Sequence, residues 1–577
     1  MDQQGEAGGH RGGEPLKRHR GAPKAIPALD VRVGKFPDAG SLFWPMAGIV
    51  LALAAHLYLA LTRAINWDEF YHYSQVQKLA QGTLTEPLQT LYTRAFVWVV
   101  DLPGVGVDHI ITIRLFMFLC EIIVAAAIFG AASRFVARVP AMLCALAYLT
   151  AGYVLQHGTS FRFDAPAAAM LMTATWILLR FRLTAGPILV VGLLAGLSAM
   201  LTIKTILYAP VFLGVACLLW SEAADKRRLL LRFTALGGAA LGAFALIYLA
   251  HASSLAGNSD VEAMKVVSRA GGKMFHFGYV TYWQSLVKGV QLSVVLALAI
   301  LAFPLVVWNA ALPKAEKLAL TGFYLPILTL FFYHNTAPYF YVYMLPPVTV
   351  ACGVVFAVLV ARYRAIAVAA LLLLGGGFVL YKEPPNPIER QRQMLRVADA
   401  MFPNGVSYFD SCAMLGRFPK ANVFMTPWGI DQYLRGGFPS LEETMASKPV
   451  PLVVNDDHMF EDALNGKGPV PSFLPGDLAA IRDTFVHLWG PFWIAGENIP
   501  SRSTDHRFTI RVPGSYTVGD ASITIGDRVF APGQFVHLDR GVHRASTGAS
   551  GARLIWGQGI KVPAQPDEGG PPVSPTP

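Results

Sequence analysis

Between Ser41 and Tyr381 the chain is a succession of apolar blocks, each about 16 to 24 residues long, and this feature limits its fold most tightly. A helix rises 1.5 Å per residue, so blocks of that length match the roughly 30 Å hydrocarbon core of a bilayer. About eleven such blocks can be counted, which predicts a polytopic α-helical membrane protein. The composition agrees: 54% of the 577 residues are hydrophobic and 15% are charged. A soluble chain of this length carries nearer a quarter charged residues.

Residues 1–40 precede the first block and contain Lys17, Arg18, Arg20, Lys24, Arg32 and Lys35, too long and polar a leader for a cleaved signal peptide. They read as a disordered basic cytoplasmic tail. The net charge of +10 does not point to nucleic acid, because the remaining Lys and Arg sit mainly in short loops between apolar blocks. Counted from an inside tail, alternate loops carry Arg134 and Arg138, then Arg180 and Arg182, then Lys226, Arg227, Arg228 and Arg232, then Lys314 and Lys317, then Arg362 and Arg364. That is the pattern of cytoplasmic loops. The opposite loops include short turns around Phe161, Lys204 and His334 and two long segments, 64–108 and 251–285. Eleven crossings place everything after Tyr381 outside the cytoplasm.

The remainder divides by pattern. Residues 382–500 alternate helical stretches (Arg390–Phe402, Ser440–Ser447, Pro475–Trp489) with short strands (Val406–Phe409, Asn422–Met425, Pro451–Val454), the pattern of an α/β unit. Residues 501–562 alternate strands with turns at Pro513-Gly514, Ala531-Pro532-Gly533 and Asp539-Arg540-Gly541, as in a small β-sandwich-like module. Residues 563–577 form a Pro-rich tail. The five cysteines imply neither a disulfide framework nor a CxxC metal site.

Candidate chemistry gathers on the outer side. After the first block comes Asn66-Trp67-Asp68-Glu69-Phe70-Tyr71-His72-Tyr73, the start of an amphipathic surface helix. Asn66 and Glu69 have the spacing of a capping box, and acids in a first turn favour the helix dipole. Capping alone does not need two adjacent carboxylates beside aromatic residues at the membrane boundary, where partial desolvation raises a carboxyl pKa toward the range of a general base. Arg162-Phe163-Asp164 precedes a later helix; it reads either as a cap with an interfacial anchor or as a second acid beside a phosphate-binding cation. Lys204, in Leu201-Thr202-Ile203-Lys204, either snorkels to headgroups or meets an anionic partner such as a lipid phosphate. His334 and Tyr339, in Tyr333-His334-Asn335-Thr336-Ala337-Pro338-Tyr339-Phe340, belong to an aromatic belt or to the same site. No nucleotide-binding glycine loop is evident.

The Asp-Glu-x-Tyr string, the Arg-x-Asp before a helix, the Leu-Thr-x-Lys at an outer turn and the Pro-Tyr-Phe-x-x-x-x-Leu-Pro string together resemble the GT-C glycosyltransferases, over residues 41–381. Nearest in pattern are the protein O-mannosyltransferases and the lipid A aminoarabinose transferases. The resemblance implies inverting transfer of a sugar from a polyprenyl-phosphate donor to a glycan, lipid or protein acceptor, with no cofactor and no metal. By position it implies Asp68 as base, Glu69 as its acidic neighbour, Asp164 as second acid and Lys204 on the donor phosphate. The reading of the outer-side residues adds Arg162, His334 and Tyr339 as further donor-phosphate contacts. A multi-pass enzyme of a bacterial plasma membrane is the expectation; a lipid or sugar transporter is the alternative, though transporters place charges nearer the midplane. Lys204 is followed by Thr205 where the family often has glycine, and the C-terminal region resembles no named domain.

Overall fold

A computed structural model describes residues 40–257, 280–383, 387–466, 468 and 470–564. The basic tail, most of the expected outer loop 251–285 and nearly all of the Pro-rich tail lie outside the described residues. Among the described residues, four helices are long and apolar enough to cross a membrane: Leu42–Thr62, Gly106–Ala132, Ile203–Glu222 and Lys226–Ala252. Two bent pairs bring the number to six: Trp283–Leu292 with Val294–Asn309, and Phe340–Ala351 with Gly353–Tyr363. Arg138–Leu149, Ala185–Leu201 and Ala365–Tyr381 are shorter apolar helices. Several expected blocks are thus broken by local chemistry. Pro346 and Pro347 lie inside one bent pair, and Thr202, extended, separates two helical segments.

Close helix packing rests on small residues, as expected where lipid supplies no hydrophobic drive between helices. Gly214 and Gly322 bring helices Ala209–Glu222 and Lys314–Tyr324 together so tightly that a Cβ on Gly322 would meet the Pro210 carbonyl oxygen at 2.5 Å. At one end of the bundle Arg134 pairs with Glu222 and, at 3.2 Å, with Glu316. This gathers three of the loops expected to share a side, while the candidate site residues gather elsewhere.

Among the described residues the C-terminal region carries eleven strands in two sheets. One sheet runs in the order Tyr408–Phe409, Leu452–Val454, Phe492–Ile499, Ala552–Trp556, Gly514–Gly519, Phe535–Leu538, with Phe485–Trp489 also paired to Phe492–Ile499. Pairing is parallel between the first two strands and antiparallel elsewhere. The other sheet holds His506–Ile510, Gly541–Thr547, Ile523–Ile525 and Arg528–Phe530. Phe508, Ile510, Tyr516, Val518, Ile523 and Leu554 fill the sandwich between them. Strand pairing crosses the division placed near residue 500, because Ala552–Ile555 pairs with Gly496–Ile499.

Two local expectations are corrected. Pro475–Trp489 is helical only to Thr484 and continues as the strand Phe485–Trp489, where Phe485, Val486, Leu488 and Trp489 are buried on both faces. Asn422–Met425 forms no strand; the Asn422 side chain bonds to the Asp410 carbonyl and Lys420. The helix expected at Arg390–Phe402 spans Ile388–Met401, and Ser440 caps Leu441–Ser447 through a capping box with Glu443.

Candidate active site

The helix Trp67–Ala80 begins with the capping box foreseen from its sequence: the Asn66 side chain accepts from the Glu69 amide, and Glu69 Oε2 accepts from the Asn66 amide at 3.1 Å. Glu69 does more than cap. Its fully buried carboxylate also takes Arg114 Nε at 2.7 Å, Arg114 Nη2 at 2.5 Å and the Phe161 amide at 2.7 Å. Burial pushes its pKa up, but the Arg114 guanidinium and these donors outweigh that and hold it below the usual carboxylate range. Arg114 in turn donates to the carbonyls of Ala60, Arg63 and Ala64 at the end of the first helix. One buried ion pair therefore ties together the first helix, the Asp68 turn and the loop leading to Arg162.

Asp68, one residue earlier, faces a different set of partners. Arg162 reaches from its loop to Asp68 Oδ2 and, at 3.1 Å, to Asp164 Oδ2; Lys204 Nζ holds Asp164 Oδ1 at 2.6 Å. The four charges form a line, Asp68–Arg162–Asp164–Lys204, with a formal sum of zero. Their side-chain exposures are 17%, 7%, 2% and 6% respectively, so Asp68 is the open end. Burial raises the Asp68 pKa, opposed by the Arg162 charge. Asp164 is the first residue of the helix Asp164–Arg180, whose N-cap Phe163 makes no side-chain cap, and its carboxylate pairs with the two cations. Lys204 does not snorkel. It is buried where Thr202 turns extended and accepts the Lys204 amide at 3.2 Å, and its carbonyl accepts the Tyr343 hydroxyl at 2.8 Å.

Tyr339 completes the cluster: the Arg162 guanidinium lies over its ring, 3.4 Å from the centroid, and its hydroxyl donates to Asn335 Oδ1. Thus six of the seven residues singled out from sequence occupy one neighbourhood. His334 is exposed and makes none of these contacts.

Sequence reading missed three participants. Arg114, buried in an apolar helix, carried a signal, since a charge inside a spanning block needs a partner. His72, four residues after Asp68, shares its helix face. Phe424, from the C-terminal region, stacks on Tyr71 with centroids 4.7 Å apart and lies 5.8 Å from Trp67; nothing local in the sequence marks it. Among the described residues Asp410, Cys412 and Asp456 come close enough together to ligate a metal. Their carboxylate oxygens already accept the amides of Ser411, Cys412, Ala413 and Met414 and the Lys420 ammonium, so the cluster acts as a clasp on the loop that presents Phe424.

No protein-family model and no curated protein matches the sequence. Among solved structures, ArnT from Cupriavidus metallidurans, bound to undecaprenyl phosphate, is similar over 73% of this chain and 95% of its own, at 14% identity and a TM-score of 0.51. This chain shares the fold of that protein. The oligosaccharyltransferase of Archaeoglobus fulgidus in its apo form is similar over 80% of this chain and 73% of its own, at 13% identity and a TM-score of 0.49.

Proposed function

We propose that this protein is a membrane glycosyltransferase that moves a sugar from a polyprenyl-phosphate donor to an acceptor hydroxyl at the outer face of the membrane, with inversion. The observation that carries this reading is the buried line Asp68–Arg162–Asp164–Lys204. It pairs one partly exposed carboxylate, raised in pKa by burial, with two cations held at fixed positions behind it. Asp68 takes the acceptor hydroxyl proton; the acceptor oxygen bonds to the anomeric carbon as the bond from that carbon to the phosphate oxygen breaks. The electron pair leaves with the phosphate, whose charge meets Lys204 and Arg162, and Asp68 later returns its proton to water. A positioned base supplies about a hundred- to ten-thousandfold, and fixed cations at the leaving group a comparable or larger share. Asp164 holds both cations in place, and Glu69, through Arg114, holds the backbone on which Asp68 and Arg162 sit. Tyr339 supports Arg162 by its ring face, and His334 is assigned to the rim. The fold similarity to ArnT, solved with undecaprenyl phosphate, supports the donor class.

The test is genetic and chemical. Mass analysis of envelope glycans and glycolipids, with and without the gene, should reveal a missing sugar. Wild type and Asn66→Ala should restore it, whereas Asp68→Asn, expressed equally, should not. Restoration by Asp68→Asn removes Asp68 as base; an unchanged glycan profile in the deletion removes the glycosyltransferase reading.

A further inference from the structure

His72 lies on the same face of its helix as Asp68, one turn on, and is 6% exposed. Four rings surround its imidazole: Tyr71, Tyr92, Phe161 and Phe163, with centroids 5.5, 5.2, 6.0 and 5.3 Å away. Its Nδ1 is 2.8 Å from the Tyr92 hydroxyl. That hydroxyl has no other acceptor among the described residues, and a buried phenol proton left unpaired is costly, so Tyr92 donates to Nδ1. The imidazole proton therefore sits on Nε2. Among the described residues Nε2 has no hydrogen-bond partner, yet it is not sealed from the surroundings as the buried unpartnered His56 and His157 Nδ1 atoms are. The charges acting on the ring are those of Arg162, Asp164 and Lys204. Lys204 Nζ stands 5.3 Å from the centroid of Phe163, one of the caging rings.

Resting on the glycosyltransferase reading, we propose that His72 binds the donor phosphate: Nε2–H, its tautomer set by Tyr92, hydrogen-bonds a phosphate oxygen beside Lys204 and Arg162. A neutral donor suits the place. The four-charge line is already balanced, and His72 adds a hydrogen bond without adding a cation that would compete for Asp164. Burial, together with the Arg162 and Lys204 charges, pushes the imidazole down to about 3, so it stays neutral at physiological pH. Sequence spacing puts His72 on the Asp68 face, but only the packing of Tyr92 against it decides which nitrogen carries the proton.

The probe is undecaprenyl phosphate, titrated into the detergent-purified full chain. His72→Phe keeps an aromatic ring in the cage and removes the donor; it should weaken binding about tenfold, the usual scale for a hydrogen bond to a charged group. His72→Gln restores an N–H at similar reach and should recover most of the affinity. Tyr92→Phe frees the tautomer and should fall between the two. The proposal is overturned if His72→Phe binds like wild type, or if His72→Gln is as weak as His72→Phe, since packing alone would then account for the residue. Wild type that does not bind undecaprenyl phosphate overturns the donor class itself, and this proposal with it.

Discussion

Replacing Glu69 by Gln removes one negative charge from a carboxylate that is fully buried and accepts four hydrogen bonds, two of them from Arg114. The amide keeps the volume and one acceptor oxygen, but turns an NH2 group toward donors and leaves a buried guanidinium without its counter-charge. Breaking a buried pair in this way costs about 3–5 kcal/mol, far above the few tenths expected if Glu69 served only the helix dipole. Arg114→Met should cost more, because it also abandons the carbonyls of Ala60, Arg63 and Ala64. In the double variant the two losses should not add, since neither charge is then left alone. The cysteines provide the assay: Cys120, Cys144, Cys352 and Cys412 are buried and Cys217 is exposed, so a thiol-reactive dye in a Cys217→Ser background reports unfolding on heating. At one fixed scan rate the apparent Tm of Glu69→Gln should drop by about 2–4 °C. The pH dependence has a definite sign. Glu69 is held below its unfolded value of about 4.3, so its stabilisation is complete above that pH and is lost as pH falls through the lower folded value. The gap between wild type and Glu69→Gln should therefore close in acid. A Tm within a degree of wild type at neutral pH, or fully additive losses, would refute the clamp.

Other outcomes follow from the same geometry. The acid limb of transfer activity should lie above the ordinary Asp value of about 4, because burial raises Asp68 and its base form is needed; Arg162→Leu should move that limb higher still, and a limb at or below 4 contradicts the assignment. Lys204→Gln should impair both folding and donor use, because it strands the buried Asp164; a variant as stable as wild type returns Lys204 to the membrane surface. Phe424→Ala should lower transfer, since Phe424 stacks on Tyr71 and packs beside Trp67, which flanks Asp68; transfer equal to wild type would place Phe424 outside the site. Reporters fused after Tyr381 and near Lys226 should be active outside and inside the cytoplasm respectively, and activity on the same side breaks the sidedness of the site.

The sequence by itself determined the membrane-embedded, helical character of residues 41–381, through block length and the scarcity of charge. It also marked where buried charges gather, because Asp68, Arg162, Asp164 and Lys204 each interrupt or border apolar sequence, where an unpaired charge is expensive. The Asn66–Glu69 capping box was legible too, since it depends on residues three apart. Tertiary structure decided how the charges pair. Adjacent carboxylates look alike in sequence, yet Glu69 turns toward Arg114 and Asp68 toward Arg162, because successive side chains on a helix point about 100° apart and meet different neighbours. Whether Lys204 snorkels or folds inward depended on Asp164, forty positions away. The strand that follows Thr484 depended on burial against Phe492–Ile499, and the placement of Phe424 over Tyr71 on a contact more than 350 residues apart. Composition and local spacing dictate which residues must leave water; which partner each buried charge meets is settled only when distant segments pack, for that is when its desolvation must be offset.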